Sequence, residues 1–233
     1  MTLSNESRDR VKHVFEPIAL AMGRAGLTPD ALTLIGFAIT VGGAVLLSQQ
    51  QWLLGGIVVF LGGAFDLFDG TLARATGKAS RLGAFMDSVF DRWGEALVYL
   101  GIVVGSSFAG FAEGAYFAAA AMGAAFMVSY TRAKAEGLGF TAGTGMAAIG
   151  IMPREVRLIV LSLGLILAPM PLYEAVPTGA ACAGACDFPQ GGSLIIALAV
   201  IAAGSTITTI QRIIHVRNQA RQQTSSQPTE NAS

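Results

Sequence analysis

The chain has 233 residues, of which 53% are hydrophobic and 13% are charged, and its formal net charge is zero. Soluble domains carry about 25% charged residues, so this composition indicates a membrane protein and argues against an ordinary soluble domain. We therefore expect membrane lipids around the chain and no nucleic-acid partner.

The first predicted element is an amphipathic helix near residues 11–22, where apolar residues alternate with charged ones. This pattern is typical of a helix that lies at the membrane surface rather than crossing the bilayer. Residues 26–30 then interrupt the chain, and Pro29 is well suited to the first turn of the following helix. We assign residues 1–30 to a cytoplasmic N-terminus that contains the surface helix.

Six later stretches are apolar enough for transmembrane helices, which need about 20 mostly apolar residues each. The predicted spans are residues 31–48, 53–75, 82–104, 115–135, 156–170 and 193–214. The predicted fold class is therefore an all-α integral membrane protein, with one six-helix domain over residues 31–218. Residues 219–233 are rich in Gln, Ser, Thr and Asn and predict a disordered cytoplasmic tail.

The positions of the basic residues predict the orientation of the spans. None of the fifteen Lys and Arg residues lies within residues 25–73, 93–131 or 158–211. With six spans, every basic residue falls on one side, which the positive-inside rule makes cytoplasmic. We expect a multi-pass plasma-membrane protein with both termini inside. On the opposite side, Cys182 and Cys186 have a spacing that permits either a small disulfide or two free thiols.

Four aspartates interrupt the second and third predicted spans, where an ionised side chain is costly. The first stripe of residues, within an arc of about 140° on one helix face, consists of Asp66, Asp69, Gly70, Ala73 and Arg74. The second stripe, on the next span, consists of Gly83, Asp87 and Asp91. Because the connection between the spans is short, we expect antiparallel neighbouring helices whose stripes face each other.

Carboxylate oxygens favour Mg²⁺, Mn²⁺ or Ca²⁺ over Zn²⁺, and Mg²⁺ often completes its shell with substrate phosphates. The small residues of the stripes leave room for a diphosphate, so we predict a catalytic metal centre at the cytoplasmic end of the two helices. Two alternatives stay open from the residues alone. One is a cation transporter, which would place acidic residues near the bilayer midplane. The other is a set of helix-end ion pairs between the aspartates and Arg74, Lys78, Arg81 and Arg92.

The two stripes together read Asp66-Leu-Phe-Asp69-Gly70-Thr-Leu-Ala73-Arg74, then eight residues, then Gly83-Ala-Phe-Met-Asp87-Ser-Val-Phe-Asp91. This segment resembles the motif of the CDP-alcohol phosphotransferase family, D-x2-D-G-x2-A-R-x8-G-x3-D-x3-D, at every fixed position. The resemblance implies a homodimeric membrane enzyme of phospholipid biosynthesis. Such an enzyme transfers the phosphatidyl group from CDP-diacylglycerol to an alcohol and releases CMP.

The resemblance also implies roles for individual residues. Two Mg²⁺ or Mn²⁺ ions would be held by Asp66, Asp69, Asp87 and Asp91. Asp91 would also be the general base that takes the proton of the acceptor hydroxyl. The CDP donor would be contacted by Asp66, Asp69, Gly70, Ala73, Arg74 and Gly83, together with Pro29 and Thr33 at the start of the first span.

The segment that begins at Ser129 is similar to that of phosphatidylinositol phosphate synthases within this family, which implies inositol phosphate as acceptor. Glycerol 3-phosphate is the alternative acceptor. The predicted ligands of the acceptor phosphate are basic residues near the cytoplasmic ends of the last three spans: Arg132, Lys134, Arg154, Arg157 and Arg212. The alternative for these residues is a role in topology alone. Near Arg154 the chain departs from the subfamily pattern E-R-x-E-R, because Pro153 and Val156 replace the two acidic residues.

Overall fold

A computed structural model of the chain describes residues 16–140, 149–169 and 192–225. Every regular element in these ranges is a helix, which confirms the predicted all-α class for this part of the chain. The described part of helix α1 covers residues 16–24. It is followed by α2 (Pro29–Ser48), α3 (Trp52–Ala75), α4 (Arg81–Phe108), α5 (Ala112–Gly137), α6 (Arg154–Leu167) and α7 (Gly192–Ser225).

Two helix starts at the site follow from local sequence. Thr28 caps α2, since its hydroxyl accepts a hydrogen bond from the amide of Ala31 (3.2 Å), and Pro29 occupies the first turn as predicted. Ser80 caps α4 in the same way by accepting from the amide of Gly83 at 2.9 Å. Between α3 and α4, Gly77 has φ +66°, a left-handed conformation that glycine adopts without steric cost.

Four of the helices, α2, α3, α5 and α7, are long and apolar enough to cross a membrane. Helix α4 has the length, with 28 residues, but carries the charges of the site. Helix α6 has 14 residues and so extends about 21 Å, less than the thickness of the hydrocarbon core. The chain is a membrane protein by composition and by these helices, whereas the six-span count and the amphipathic character of the N-terminal helix stay predictions.

Helices α2 to α7 form a ring in which each helix packs mainly against two others, in the order α2, α3, α6, α7, α5, α4 and back to α2. Buried apolar side chains from the ring form one core, with Leu47, Tyr99, Ile102, Leu165 and Leu198 among its least exposed members. Large apolar side chains such as Phe60, Leu100 and Ile196 are exposed on the outside, as expected for surfaces that face lipid.

The predicted direct packing of α3 against α4 is wrong, because α2 packs against both of them instead. Glycines make this arrangement possible. A Cβ atom on Gly101 of α4 would overlap with the carbonyl oxygen of Ala44 in α2. A Cβ atom on Gly43 of α2 would lie 3.1 Å from the backbone nitrogen of Val59 in α3. With α2 so close to both neighbours, the ends of α3 and α4 stay apart and leave a space between them.

Other predictions concern residues at or beyond the ends of the described ranges. Cys182 and Cys186 lie outside them, as do residues 11–15 of the proposed surface helix, whereas its residues 16–22 belong to α1. Helix α7 extends to Ser225, past the predicted domain boundary at residue 218, so residues 219–225 are helical rather than disordered.

Candidate functional site

The space between the ends of α3 and α4 is a cavity of about 220 Å³, which we call the α3–α4 cavity. Its lining combines both sequence stripes with the start of α2. All the residues predicted to contact the CDP donor, except Asp66, line this cavity: Pro29, Thr33, Asp69, Gly70, Ala73, Arg74 and Gly83. Asp87 lines the same cavity, as do Asp30, Lys78 and Ser80, none of which was predicted to contact the donor.

Asp69 is the most firmly held carboxylate of the site. Asp69 is 5% exposed, and one of its carboxylate oxygens accepts a hydrogen bond from the hydroxyl of Thr33 at 2.5 Å. The other oxygen accepts from the amide of Gly70. Because Thr33 belongs to α2 and Asp69 to α3, this bond fixes the direction of the carboxylate relative to the first helix. The structure thus places Thr33 against an acidic residue of the motif.

The glycines of the motif leave space for other side chains in the α3–α4 cavity. A Cβ atom on Gly70 would lie 3.3 Å from the guanidinium of Arg74, so that guanidinium lies over the glycine. A Cβ atom on Gly83 would lie 3.4 Å from a carboxylate oxygen of Asp30. An anionic group that enters the cavity therefore meets the Arg74 guanidinium beside a stretch of backbone without a side chain.

Arg154 differs from the other basic residues of the predicted acceptor pocket because its guanidinium contacts two of the aspartates. One terminal nitrogen of its guanidinium is 2.7 Å from Asp66 and 2.9 Å from Asp91. Asp91 also contacts its sequence neighbour Arg92 at 3.2 Å. No three acidic, histidine or cysteine side chains among the described residues are gathered closely enough to coordinate one ion. In this arrangement Arg154 supplies the positive charge between Asp66 and Asp91.

A second, larger space of about 810 Å³ opens between α4, α5 and the start of α6, and we call it the basic cleft. Its basic lining residues are Arg92, Arg132, Arg154, Arg157 and Arg212. Lys134, the fifth predicted acceptor ligand, is exposed and is not part of the lining. Asp91 faces the basic cleft, and Asp87 lines both the cleft and the α3–α4 cavity. The two spaces therefore share Asp87 of the second stripe.

Arg157 and Arg212 already have partners within the protein. Arg157 is 2% exposed and forms two bonds with Glu95, at 2.7 and 2.8 Å, and a third with the carbonyl of Met152. Arg212 is 4% exposed and donates to the carbonyls of Ile149 and Val128. Both side chains lie at the inner wall of the cleft and hold helices together. The position of a basic residue in the sequence does not reveal such a structural role.

Sequence reasoning missed Glu95, which holds Arg157 in the wall of the cleft, and Thr208, which holds the segment before α6. Glu95 lies one helical turn after Asp91 in an apolar stretch, and its charge there was a signal that a buried partner exists. Thr208 accepts hydrogen bonds from the amides of Ile151 (3.2 Å) and Met152 (3.0 Å) and so fixes the segment before α6. No local pattern singles out Thr208, because its partners are 56 and 57 residues away.

We predict that Glu95→Ala strongly destabilises the protein. Removing one partner of a buried ion pair leaves an uncompensated charge and costs about 3–5 kcal/mol. The matched control is Glu136→Ala, which breaks an exposed pair with Arg132 on the same helix and should cost about 0.5 kcal/mol or less. Thermal unfolding of the purified variants in detergent measures both effects. Equal unfolding midpoints for the two variants would contradict a structural role for the Glu95–Arg157 pair.

The carboxylates of the two stripes suit a hard divalent cation by their chemistry, although the described residues do not gather three of them around one point. Asp66 and Asp91 lie close enough to share a single cationic group, and Asp69 is held in place by Thr33. Carboxylates are the ligands that Mg²⁺ and Mn²⁺ prefer, and the described part of this site offers no histidine or thiolate that would favour zinc.

Comparisons with known proteins identify a family for this chain. The profile of the CDP-alcohol phosphatidyltransferase family matches residues 26–185. The chain is 37% identical over 172 residues to archaetidylinositol phosphate synthase of Pyrococcus horikoshii, covering 74% of this chain and 84% of the relative. It is 31% identical over 238 residues to phosphatidylinositol phosphate synthase of Streptomyces avermitilis, covering 99% and 89%.

Solved structures resemble the whole arrangement. The structure of phosphatidylinositol phosphate synthase from Mycobacterium tuberculosis with CDP-DAG bound superposes with a TM-score of 0.71 at 28% identity, covering 88% of this chain and 94% of that one. A structure of the same enzyme with manganese and citrate also has a TM-score of 0.71, covering 87% and 88%.

Proposed function

The chain belongs to the CDP-alcohol phosphatidyltransferase family, and we propose that it transfers the phosphatidyl group of CDP-diacylglycerol to a phosphorylated polyol, inositol phosphate. The products are phosphatidylinositol phosphate and CMP. The observation that carries this proposal is that the two spaces share Asp87, while Asp91, one turn further along α4, lines the basic cleft. One space is lined by every fixed residue of the motif except Asp66 and Asp91, and the other is lined by five arginines. A donor and an anionic acceptor thus have separate sites with carboxylates between them.

The α3–α4 cavity suits the diphosphate of the donor. Arg74 offers a guanidinium for charge-assisted hydrogen bonds to phosphate oxygens, and Gly70 and Gly83 add no side chain of their own to the cavity wall. Pro29 and Thr33 line the other side of the cavity, where α2 begins. The relative from Mycobacterium tuberculosis was solved with CDP-DAG bound, which supports a donor of this class.

We propose that Asp66, Asp69, Asp87 and Asp91 hold divalent cations, Mg²⁺ or Mn²⁺, and that two ions are bound. The acidic donor set supports this assignment, as does the manganese in the structure of the Mycobacterium tuberculosis enzyme. Bound ions of this kind neutralise phosphate charge and help to align the reacting groups. The role of Thr33 is then to orient Asp69 toward the site through its 2.5 Å hydrogen bond.

Asp91 is the proposed general base. The acceptor hydroxyl oxygen forms a bond to the phosphorus that carries the diacylglycerol, and the bond from this phosphorus to the bridging oxygen of the diphosphate breaks. CMP leaves with the electron pair of that bond, and the hydroxyl proton passes to the Asp91 carboxylate. Asp91 suits this role because it lines the cleft where the acceptor enters, whereas Asp69 lines the donor cavity.

The basic cleft suits the phosphate of the acceptor, since a phosphomonoester carries nearly two negative charges and pairs well with arginine. Arg132 is the most accessible basic group of the predicted set in the cleft, with a side chain 44% exposed. Arg157 and Arg212 shape the wall through their contacts with the protein and contribute their charge from there. A polyol without a phosphate would bring no negative charge to pair with these arginines.

Membrane placement follows from the charge pattern. We propose that the site lies at the cytoplasmic surface of the plasma membrane and that six helices cross the bilayer. Among these six, α4 and α6 would cross it packed against the surrounding helices. A homodimer is part of the proposal through the family resemblance alone.

The proposed function is tested by following CMP release from CDP-diacylglycerol with Mg²⁺ or Mn²⁺ and one alcohol at a time. Inositol phosphate is expected to support release, and inositol without a phosphate is not. Release with glycerol 3-phosphate alone would replace the acceptor but keep the reaction class. No release with any alcohol would contradict the proposed enzyme activity.

A further inference from the structure

Arg154 has an arrangement that differs from that of every other predicted acceptor ligand. It is the first residue of α6, and its guanidinium bridges Asp66 of α3 and Asp91 of α4 through a single nitrogen. Its side chain is 29% exposed and lines the basic cleft as well as a small cavity inside the helix ring. The same side chain therefore reaches the aspartates, the cleft and the interior.

Charge explains why an arginine lies there. Asp66 and Asp91 share one guanidinium nitrogen, their side chains are 17% and 12% exposed, and Asp69 and Asp87 line the α3–α4 cavity. Uncompensated carboxylates in such a place would repel one another strongly. Arg154 supplies the compensating positive charge when neither a metal ion nor a substrate is bound. A guanidinium has only donors and cannot share in coordinating an ion, so a divalent cation that uses Asp66 and Asp91 must compete with Arg154 for the same oxygens.

We propose that Arg154 is the resident counter-ion of the aspartate cluster, and that a divalent cation displaces it from Asp66 and Asp91 into the basic cleft. Metal binding then does two things at once. It frees Asp91 from its contact with Arg154, and it adds a mobile guanidinium to the cleft that receives the acceptor phosphate. This inference rests on the proposed function, because it takes the aspartates as metal ligands.

The other arginines of the predicted acceptor set cannot take this role. Arg157 is held by Glu95 and by a backbone carbonyl. Arg212 is held by two backbone carbonyls. Arg132 pairs with Glu136 on its own helix and makes no contact with the aspartates. Arg154 is the one among these four whose described partners are proposed metal ligands. Arg92, outside this set, contacts Asp91 but not Asp66, so Arg154 is the arginine that bridges the two carboxylates.

The test measures Mn²⁺ binding by electron paramagnetic resonance on the purified full chain in detergent, without substrates. Arg154→Gln removes the competing charge, so the Kd for Mn²⁺ is expected to fall about tenfold. The matched control Arg132→Gln removes one positive charge from the same cleft but no contact to the aspartates, and its Kd should stay within about twofold of the parent.

A second measurement uses the unaltered chain and does not depend on the folding of a variant. Phenylglyoxal modifies accessible arginines, and the modified positions are identified by mass spectrometry. Mn²⁺ is expected to increase modification of Arg154 and to leave that of Arg157 unchanged, because only Arg154 is released.

The outcomes separate this inference from the proposed function. Equal Mn²⁺ affinity in the parent and Arg154→Gln, or equal tightening in both variants, would overturn the counter-ion role while leaving the metal site in place. Unchanged phenylglyoxal modification of Arg154 upon Mn²⁺ addition would overturn the displacement. If neither the parent nor Arg154→Gln binds Mn²⁺, the metal site itself is wrong and the inference falls with it.

Discussion

Asp91→Asn is expected to reduce the rate of CMP release about a thousandfold, the usual scale for loss of a general base. The amide has the size of the carboxylate but cannot take a proton from the acceptor hydroxyl. Asp91 is positioned for this step because it faces the basic cleft and is largely buried, with a side chain 12% exposed. Initial rates with CDP-diacylglycerol and inositol phosphate measure the effect.

Asp91 is also a proposed metal ligand, so the loss must be assigned to one role. With the other three aspartates intact, Asp91→Asn should still bind Mn²⁺, and saturating Mn²⁺ should not restore the rate. The control is Glu113→Gln, the same acid-to-amide change at an exposed position in the first turn of α5, which should keep the parent rate. Full recovery at high Mn²⁺ would make Asp91 a ligand only, and undiminished turnover would exclude both roles.

Arg132→Ala should raise the KM for inositol phosphate about tenfold to a hundredfold, the range for one charge-assisted contact to phosphate. Arg132 is held in the described structure only by Glu136, at 2.9 Å on an exposed helix surface. Such a pair contributes little to stability, so the guanidinium can turn toward a phosphate at low cost. The KM for CDP-diacylglycerol should change by about twofold or less, because Arg132 does not line the α3–α4 cavity.

Glu136→Gln is the matched control for this prediction. It removes the partner of Arg132 and keeps the guanidinium, so the KM for inositol phosphate should not rise. Equal increases in both substrate KM values for Arg132→Ala would contradict an acceptor role and indicate a general disturbance of the site.

The motif residues were predictable because a helix period fixes which side chains share a face. The positions of Asp69, Gly70, Ala73 and Arg74 on one wall of the α3–α4 cavity follow from spacing alone. The helix that packs against that wall could not be predicted from the spacing. Whether α2 lies between α3 and α4 depends on contacts such as that of Gly101 with Ala44, which join residues far apart in the chain.

The basic residues show the same limit more clearly. Their clustering near one end of the helices was visible in the sequence, yet their partners were not. Arg154 pairs with Asp66 across 88 residues and Arg157 with Glu95 across 62 residues. Lys134, only two residues from Arg132, lies outside the cleft because successive residues on a helix point about 100° apart. Charge alone therefore identified the region but not the individual roles.

The most direct test of the central claim offers the purified protein CDP-diacylglycerol and Mn²⁺ with an equimolar mixture of inositol phosphate, glycerol 3-phosphate and inositol. The lipid that forms is identified by mass spectrometry. We expect phosphatidylinositol phosphate as the product, formed in step with CMP. Phosphatidylglycerophosphate or phosphatidylinositol as the main product would contradict the proposed acceptor, and CMP without any new phospholipid would contradict the transfer reaction itself.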